Sequence, residues 1–444
     1  MVSTLQGCEN NTVNINASAN FYNPIGACDR DTEDDVEVSY QTAGTISLLT
    51  WLVGTNANTA NRVCRLRINN LNSNQSATIT ASTTGIFQDA VNSDAIIAGD
   101  DITLSVPAGG TGSMNASVTT VFAATSNTVS KWGCNSGPDG FQFTDFAGAS
   151  TTYRIAVYGF DDSTQTTAGE EDQIQIKVKT AGTWKNFSVL VDSNARTTTT
   201  TGKTRINGAD GAQSVSIGST ATGLFEDTTN EDSLVVDDEI CYALVTGTGT
   251  SIIAINEIHT EFETTNNTGI LPSGNTTATD ITVNAGVTNF YSIYGLPETV
   301  ASETDEIIQL QIDRDRVLSD MSVNVAANTT DGSSTLRTRI DQVNGAQSVS
   351  IPANTTGFFD ETVDEDTVTT NEIINYQIIA GTGTGTISVS TTSVVTNEPA
   401  TPATGGTDEI TGRYFGTRAM SMIDVLTGMP DDVEFRLRPL FARA

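Results

Sequence analysis

The chain has 444 residues, of which 37% are hydrophobic and 17% charged. That length suits two to four domains, and the balance is too apolar for a disordered chain and too polar for one that lives in lipid. The 21 basic and 53 acidic residues leave a net charge of −32, which repels phosphate backbones and anionic lipids and argues against nucleic acid or membrane as a partner.

The N-terminal run MVSTLQGCENNTVNINAS has neither a basic nor an apolar region. It does not read as a secretory signal, so synthesis in a host cytoplasm without a signal peptide is expected. The five cysteines, Cys8, Cys28, Cys64, Cys134 and Cys241, are odd in number and form no CxxC pair. They read as buried free thiols rather than a disulfide framework or a zinc site.

Along the chain, short alternating runs are separated by Gly, Asn, Asp and Thr clusters, the pattern of half-buried strands. The first unit, residues 1–125, opens on Phe21-Tyr22 and carries RLRINNLNSNQSATI from Arg65. Thr84-Gly85-Ile86-Phe87-Gln88-Asp89 follows, then Asp94, Asp101-Ile102 and the turn Gly109-Gly110-Thr111-Gly112. Residues 126–148, with Trp132 and several glycines, read as a linker.

The second unit, 149–264, repeats the order. It has aromatics from Tyr153 to Tyr158, the alternating run Asp172 to Val178, and KTRINGADGAQSVSI from Lys203. Thr222-Gly223-Leu224-Phe225-Glu226-Asp227 comes next, then Asp232, Glu239-Ile240 and Gly247-Thr248-Gly249-Thr250. Its strand-like run Ile255 to Phe262 holds the one histidine, His259, which reads as a packed side chain because general-base chemistry needs a placed partner. Residues 265–280 read as a second linker.

The third unit, 281–396, has aromatics from Phe290 to Tyr294, RTRIDQVNGAQSVSI from Arg337, and Thr356-Gly357-Phe358-Phe359-Asp360-Glu361. Asp366, Glu372-Ile373 and Gly381-Thr382-Gly383-Thr384-Gly385 complete it. The last of these reads as a hairpin turn rather than a phosphate loop, since no helix follows it. The motif glycines lie 138 and 134 residues apart, a domain-sized period. The fold class is therefore all-β: three tandem antiparallel β-sandwich (jelly-roll-like) domains of about eight strands each.

Residues 397–444 form a chemically different tail. From Gly405 it has five Arg and six acidic residues, and its end, Phe435-Arg436-Leu437-Arg438-Pro439-Leu440-Phe441-Ala442-Arg443-Ala444, has three Arg and no acid. Phe435, Arg436, Leu437, Arg438, Leu440, Phe441 and Arg443 are the candidate partner-docking residues, suited to a groove or a sheet edge. Folding back onto the third unit is the competing reading.

In each motif the glycine suits a φ > 0 turn, and Phe87, Phe225 and Phe359 are expected in equivalent buried places. The carboxylate pairs Asp89/Asp94, Asp227/Asp232 and Glu361/Asp366 could supply oxygen ligands for Ca2+. The favoured reading is capping of backbone N–H groups in acidic turns. Triplication points the same way, because a catalyst does not need three copies. No nucleophile elbow, phosphate loop or zinc-protease motif is present, so no catalytic residue and no cofactor are expected.

The run TG-(Ile/Leu/Phe)-Phe-acid, the following acid-Ile pair and the Gly/Thr turn resemble segments of tailed-bacteriophage virion structural proteins, over about residues 10–395. The resemblance implies a non-enzymatic external virion component, such as a head decoration, collar or tail-associated part. It also implies a multi-copy or homo-oligomeric assembly attached to capsid, connector or tail proteins. A carbohydrate-binding adhesin or receptor-binding fibre is the alternative, with Trp51, Trp132 and Trp184 as candidate sugar platforms.

Overall fold

In a computed structural model the structure describes residues 4–13, 20–22, 29–30, 33–108, 110–135, 146–160, 168–265, 267–274, 281–293, 301–303, 309–312 and 314–398. Described residues up to 398 form one compact unit. Among them, no helix is long and apolar enough to cross a membrane.

The first unit lays down eight main strands: β1 (Thr4–Val13), β2 (Asn20–Tyr22), β3 (Gly44–Asn56), β4 (Arg62–Ile68), β5 (Leu71–Ile79), β6 (Gly85–Ile96), β7 (Asp100–Val106) and β8 (Met114–Ala124). They pair as two antiparallel sheets, β1-β8-β3-β6 and β2-β7-β4-β5. Numbered within the unit, the orders are 1-8-3-6 and 2-7-4-5. Successive strands alternate between the sheets except at the β4–β5 hairpin, the double Greek-key winding of a jelly roll, which excludes an immunoglobulin-like arrangement.

The second roll follows with β9 (Thr128–Asn135), β10 (Thr152–Ile155), β11 (Gly182–Asn194), β12 (Thr200–Ile206), β13 (Ala209–Ile217), β14 (Gly223–Leu234), β15 (Glu239–Val245) and β16 (Ile253–Thr264). The third has β17 (Thr268–Gly274), β18 (Thr288–Tyr291), β19 (Arg316–Asn328), β20 (Ser334–Ile340), β21 (Val343–Ile351), β22 (Gly357–Glu361), β23 (Ile373–Ile379) and β24 (Thr386–Asn397). Their sheets are β9-β16-β11-β14 with β10-β15-β12-β13, and β17-β24-β19-β22 with β18-β23-β20-β21. A seven-residue helix, α1 (Ala168–Ile174), is inserted in the second roll.

Two stretches expected to be linkers contain the first strand of the next roll. β9 lies inside 126–148 and pairs with β16 along its whole length, with Trp132 fully buried. β17 lies inside 265–280 and pairs with β24, burying Ile270 and Leu271. Residues 128–133 and 269–273 are buried despite their polar composition, which therefore hides the strands rather than marking exposed chain. Even Pro272 fits, because an edge strand has one set of N–H groups outside the ladder.

The Gly/Thr turn at 381–385 is not a hairpin. It joins β23 to β24, which lie in different sheets, so the loop is a corner between layers. Asp331 fastens it by accepting hydrogen bonds from the Thr384 N–H and hydroxyl at 2.8 and 3.0 Å.

Sandwich alternation builds the core. β4, β12 and β20 each alternate buried with half-buried residues from their first position. One cluster in the first roll surrounds Trp51 and Leu66, while the apolar cores of the second and third rolls form a single cluster. Phe87, Phe225 and Phe359 are only half-buried and pack against those clusters. The reason is placement: β6, β14 and β22 are the outermost strands of their sheets. The preceding motif glycines, Gly85, Gly223 and Gly357, take φ of 109°, 95° and 98° with open space where a Cβ would point. Backbone conformation, not crowding, demands glycine there.

The long strands β3, β11 and β19 bulge at Leu48, Asn186 and Asp320, each at positive φ. A buried glutamine holds each bulge. Gln75 accepts from the Leu49 N–H, Gln213 from that of Phe187 and Gln347 from that of Met321, at 3.0–3.1 Å.

Candidate functional site: acidic turns and the seams of a ring

The three rolls close into a ring. Alongside β7, β15 and β23 run the short strands Val38–Tyr40, Ile176–Lys177 and Leu310–Gln311. Each of these segments docks on the first-described sheet of the next roll. In the seam between the second and third rolls, the Thr391 hydroxyl donates to the Gln175 carbonyl at 2.6 Å and that of Ser393 to the Lys177 carbonyl at 2.9 Å. In the seam between the third and first, the Ser117 hydroxyl donates to the Gln309 carbonyl at 3.1 Å. Strand register makes Ser117 equivalent to Thr391, and Gln309 equivalent to Gln175. In the seam between the first and second, Lys131 Nζ donates to the Ser39 carbonyl at 2.6 Å. Ser39 sits at the position of Lys177.

The opening strands meet where the rolls converge. Thr4, Ser130 and Gly269 hold equivalent registers on β1, β9 and β17. A Cβ on Gly269 would lie 3.2 Å from Ser130 Oγ and 3.3 Å from Thr4 Cγ2, so close approach limits side-chain size at this point. These three residues mark a pseudo-threefold axis.

The first-to-second seam differs in chemistry from the other two. Glu261 accepts from the N–H groups of Gln41 and Thr42 at 2.8 and 3.2 Å, from the Thr42 hydroxyl at 2.5 Å and from Asn186 Nδ2 at 2.7 Å. Lys131 Nζ lies 3.7 Å from the same carboxylate, and both side chains are fully buried. Gln41 Nε2 also donates to Glu226 at 2.7 Å. Burial lowers the Lys131 pKa, against the pull of Glu261, Glu257 and Glu226. The second-to-third seam keeps one ionic contact at its rim, Lys177 and Lys179 with Asp360 at 3.2 and 3.4 Å.

The carboxylate pairs fold the turns of the sixth strand in each roll. Asp89 accepts from the N–H groups of Ser76, Val91 and Asn92 and from Asn92 Nδ2. Asp227 repeats this with Ser214, Thr229 and Asn230, and Glu361 accepts from Val363 and Asp364 N–H. Asp94 accepts from the N–H groups of Asn74 and Gln75, Asp232 from that of Ala212, and Asp366 from those of Ala346 and Gln347. Burial works against charge on Asp89, Asp94 and Asp227, yet these hydrogen bonds outweigh it and hold all three below the ordinary carboxylate range. The oxygens are engaged by protein donors, and among the described residues no group of three or more His, Cys, Asp or Glu is arranged to hold a metal ion. The acid at the entry to the seventh strand is Asp100, Asp238 or Glu372, the first inside its strand and the other two just before theirs. Each accepts an N–H three residues upstream, so Glu372 matches Asp100 rather than Asp101.

A triplicated Arg–Glu lock is only half marked in the sequence. Arg67 forks onto Glu33, Arg205 onto Glu171 and Arg339 onto Glu303, with Nε and Nη2 each 2.5–2.9 Å from an oxygen. Glu171 also receives Arg154 Nε at 2.6 Å. The signal was the arginine directly before the isoleucine in RLRI, KTRI and RTRI. Its partner lies about 35 residues upstream, in a stretch without a matching motif.

Trp51, Trp132 and Trp184 are all buried to within 1% and offer no face to a sugar. His259 is buried and neutral: burial and the Lys131 charge push its pKa well below the ordinary value. Cys64 and Cys241 are buried free thiols. The tail residues Phe435, Arg436, Leu437, Arg438, Leu440, Phe441 and Arg443 lie outside the described residues.

No known protein family matches the chain, and no curated protein does. Among solved structures it is similar to a protein of an archaeal virus described by its triple jelly roll fold and turret assembly (12% identity, 81% of each chain, TM-score 0.18). It is also similar to a chain of Sulfolobus Turreted Icosahedral Virus (10% identity, 82% of each chain, TM-score 0.18). A third similarity is to PNGF-II (10% identity, 80% of this chain and 100% of that one, TM-score 0.20).

Proposed function

We propose that the protein is a non-enzymatic structural component of a virion, that of a tailed bacteriophage, mounted externally as a head decoration, collar or tail-associated part. The observation that carries this reading is the ring. Three jelly rolls of one chain surround a pseudo-threefold axis and dock through equivalent positions, so one chain fills the place of a homotrimer. Such a body suits a symmetric site in a multi-copy shell. The acidic turns support a structural role, because their carboxylates are spent on backbone donors. The apolar and basic end of the tail, residues 435–444, supplies the anchor to capsid, connector or tail neighbours.

Co-sedimentation tests this. Full-length protein and a version ending at Thr404 are mixed with phage particles that lack the component. Binding by the full-length chain alone supports both the virion reading and the anchor. Failure of both to bind particles, with retention on glycans or whole cells, overturns it in favour of an adhesin.

A further inference from the structure

The three Arg–Glu forks lie in equivalent places, but their surroundings part company in the third roll. Strand pairing with Arg67, Arg205 and Arg339 makes Thr103, Cys241 and Asn375 equivalent. Thr103 donates its hydroxyl to Glu33 at 2.7 Å, and the Cys241 thiol donates to Glu171 at 3.7 Å. Asn375, on β23, has no such contact with Glu303. Its side chain belongs to a residue only 2% exposed, and its Nδ2 has no hydrogen-bond partner. A buried amide donor left unpaired is costly, so its presence calls for an explanation.

Asn375 lines an open cleft of about 100 Å³ together with Glu303, Gln309, Asp341, Gln342 and Ile373. The lip of the cleft is the turn of the β20–β21 hairpin, Asp341-Gln342, both at positive φ. Asp341 stands where the other rolls have Asn69 and Asn207, and Ile373 where they have Asp101 and Glu239. The polar groups around the cleft are unequally spent. Both oxygens of Glu303 are taken up by Arg339. Asp341 accepts the Ile373 N–H through Oδ1, which leaves Oδ2 unspent among the described residues. Gln309 donates Nε2 to the Glu303 carbonyl, which leaves Oε1.

The cleft therefore offers two acceptors and one donor. An ammonium group has no acceptor for Asn375. A carboxylate or phosphate has no hydrogen for Asp341 and would meet its charge. A hydroxyl is donor and acceptor at once, and two neighbouring hydroxyls match the set. Ile373 adds the apolar surface that the C–H face of a sugar ring covers.

We propose that the third roll binds a carbohydrate in this cleft, with Asp341 and Gln309 accepting from its hydroxyls and Asn375 donating to one of them. In the first and second rolls the equivalent side chains are engaged with Glu33 and Glu171, so the site belongs to one roll of three. It goes beyond the virion reading and needs no tryptophan platform. It borders the seam between the third and first rolls, where the Gln309 carbonyl takes the Ser117 hydroxyl.

Saturation-transfer NMR of the full chain with the methyl glycosides of glucose, galactose, mannose and N-acetylglucosamine tests the site, with cyclohexanol and butylamine as controls. Transfer to at least one glycoside at millimolar concentration is expected, and none to either control. Asn375→Thr and Asp341→Asn install the residues of the first roll, which the fold accepts at those positions. Each should weaken binding about tenfold, with an unchanged circular dichroism spectrum. Silence of all four glycosides overturns the proposal. So does transfer that persists undiminished in either variant, which would place the sugar elsewhere. A response to butylamine alone also overturns it, and would make the cleft a receptor for a basic side chain.

Discussion

The interior of each roll and the seams between rolls obey different rules. Inside, the same polar devices recur nearly atom for atom: the glutamine under the bulge, the Arg–Glu fork and the aspartate in the sixth-strand turn. At the seams, equivalent positions hold Thr, Ser and Glu, or Gln, Gln and Glu. A buried polar group within a roll must satisfy strands that every copy shares, so its chemistry is fixed three times over. A seam needs only to fit its own partner, and each has gone its own way.

That contrast can be broken most forcefully at a fork. Glu171→Ala removes the carboxylate shared by Arg154 and Arg205 and leaves Arg205 with the half-exposed Asp210. A loss of about 3–5 kcal/mol is expected, read as an earlier denaturation midpoint. The loss should exceed that of Glu303→Ala, because Glu303 serves one arginine.

A bulge glutamine comes next. Gln213→Leu leaves the Phe187 N–H and the Trp184 carbonyl without their side-chain partner, at a cost of about 1–3 kcal/mol. The same change at Gln75 should cost about as much, since Gln75 bonds Leu49 and Ile46 in the same way. Unequal losses by denaturant titration would show that the rolls are not interchangeable inside.

The acidic turns set an acid limb to stability. Asp89 and Asp227 are held below the ordinary carboxylate range. Their contribution is present above the unfolded-state value and is lost as the pH falls through the folded one. Acid denaturation of an Asp89→Asn, Asp227→Asn variant should therefore be shallower than that of the natural chain, followed by circular dichroism. The smallest effect is expected from Lys203→Ala, which removes one partner of the half-exposed Asp210 and should change stability by about 0–1 kcal/mol.

What could be read in the sequence follows the range of the interactions. The repeats, the positive-φ glycines and the two-sheet class rest on neighbours a few residues apart. The opening strands at 128–135 and 268–274 look like linkers in the sequence because their ladder partners lie more than a hundred residues downstream. Ser117 and Gln309, 192 residues apart, carry no mark that they meet. Phe87, Phe225 and Phe359 were expected deep in the core because aromatic character was visible and edge position was not. His259 was legible as a packed side chain, but Glu261, which accepts from Gln41 and Thr42 of the first roll, was not legible as a seam residue. Nothing local distinguishes a glutamate that crosses between rolls from one that faces water.

The convergence of Thr4, Ser130 and Gly269 has a practical corollary. In a true trimer every surface feature appears three times and no chemical tag can tell the copies apart. Here Val91, Thr229 and Val363 occupy matching turns but are separate codons. A single cysteine at Val91, which is 92% exposed, would carry one heavy-atom or fluorescent marker on one lobe of three. Images of the assembled object could then be aligned without the rotational ambiguity that its own near-symmetry creates.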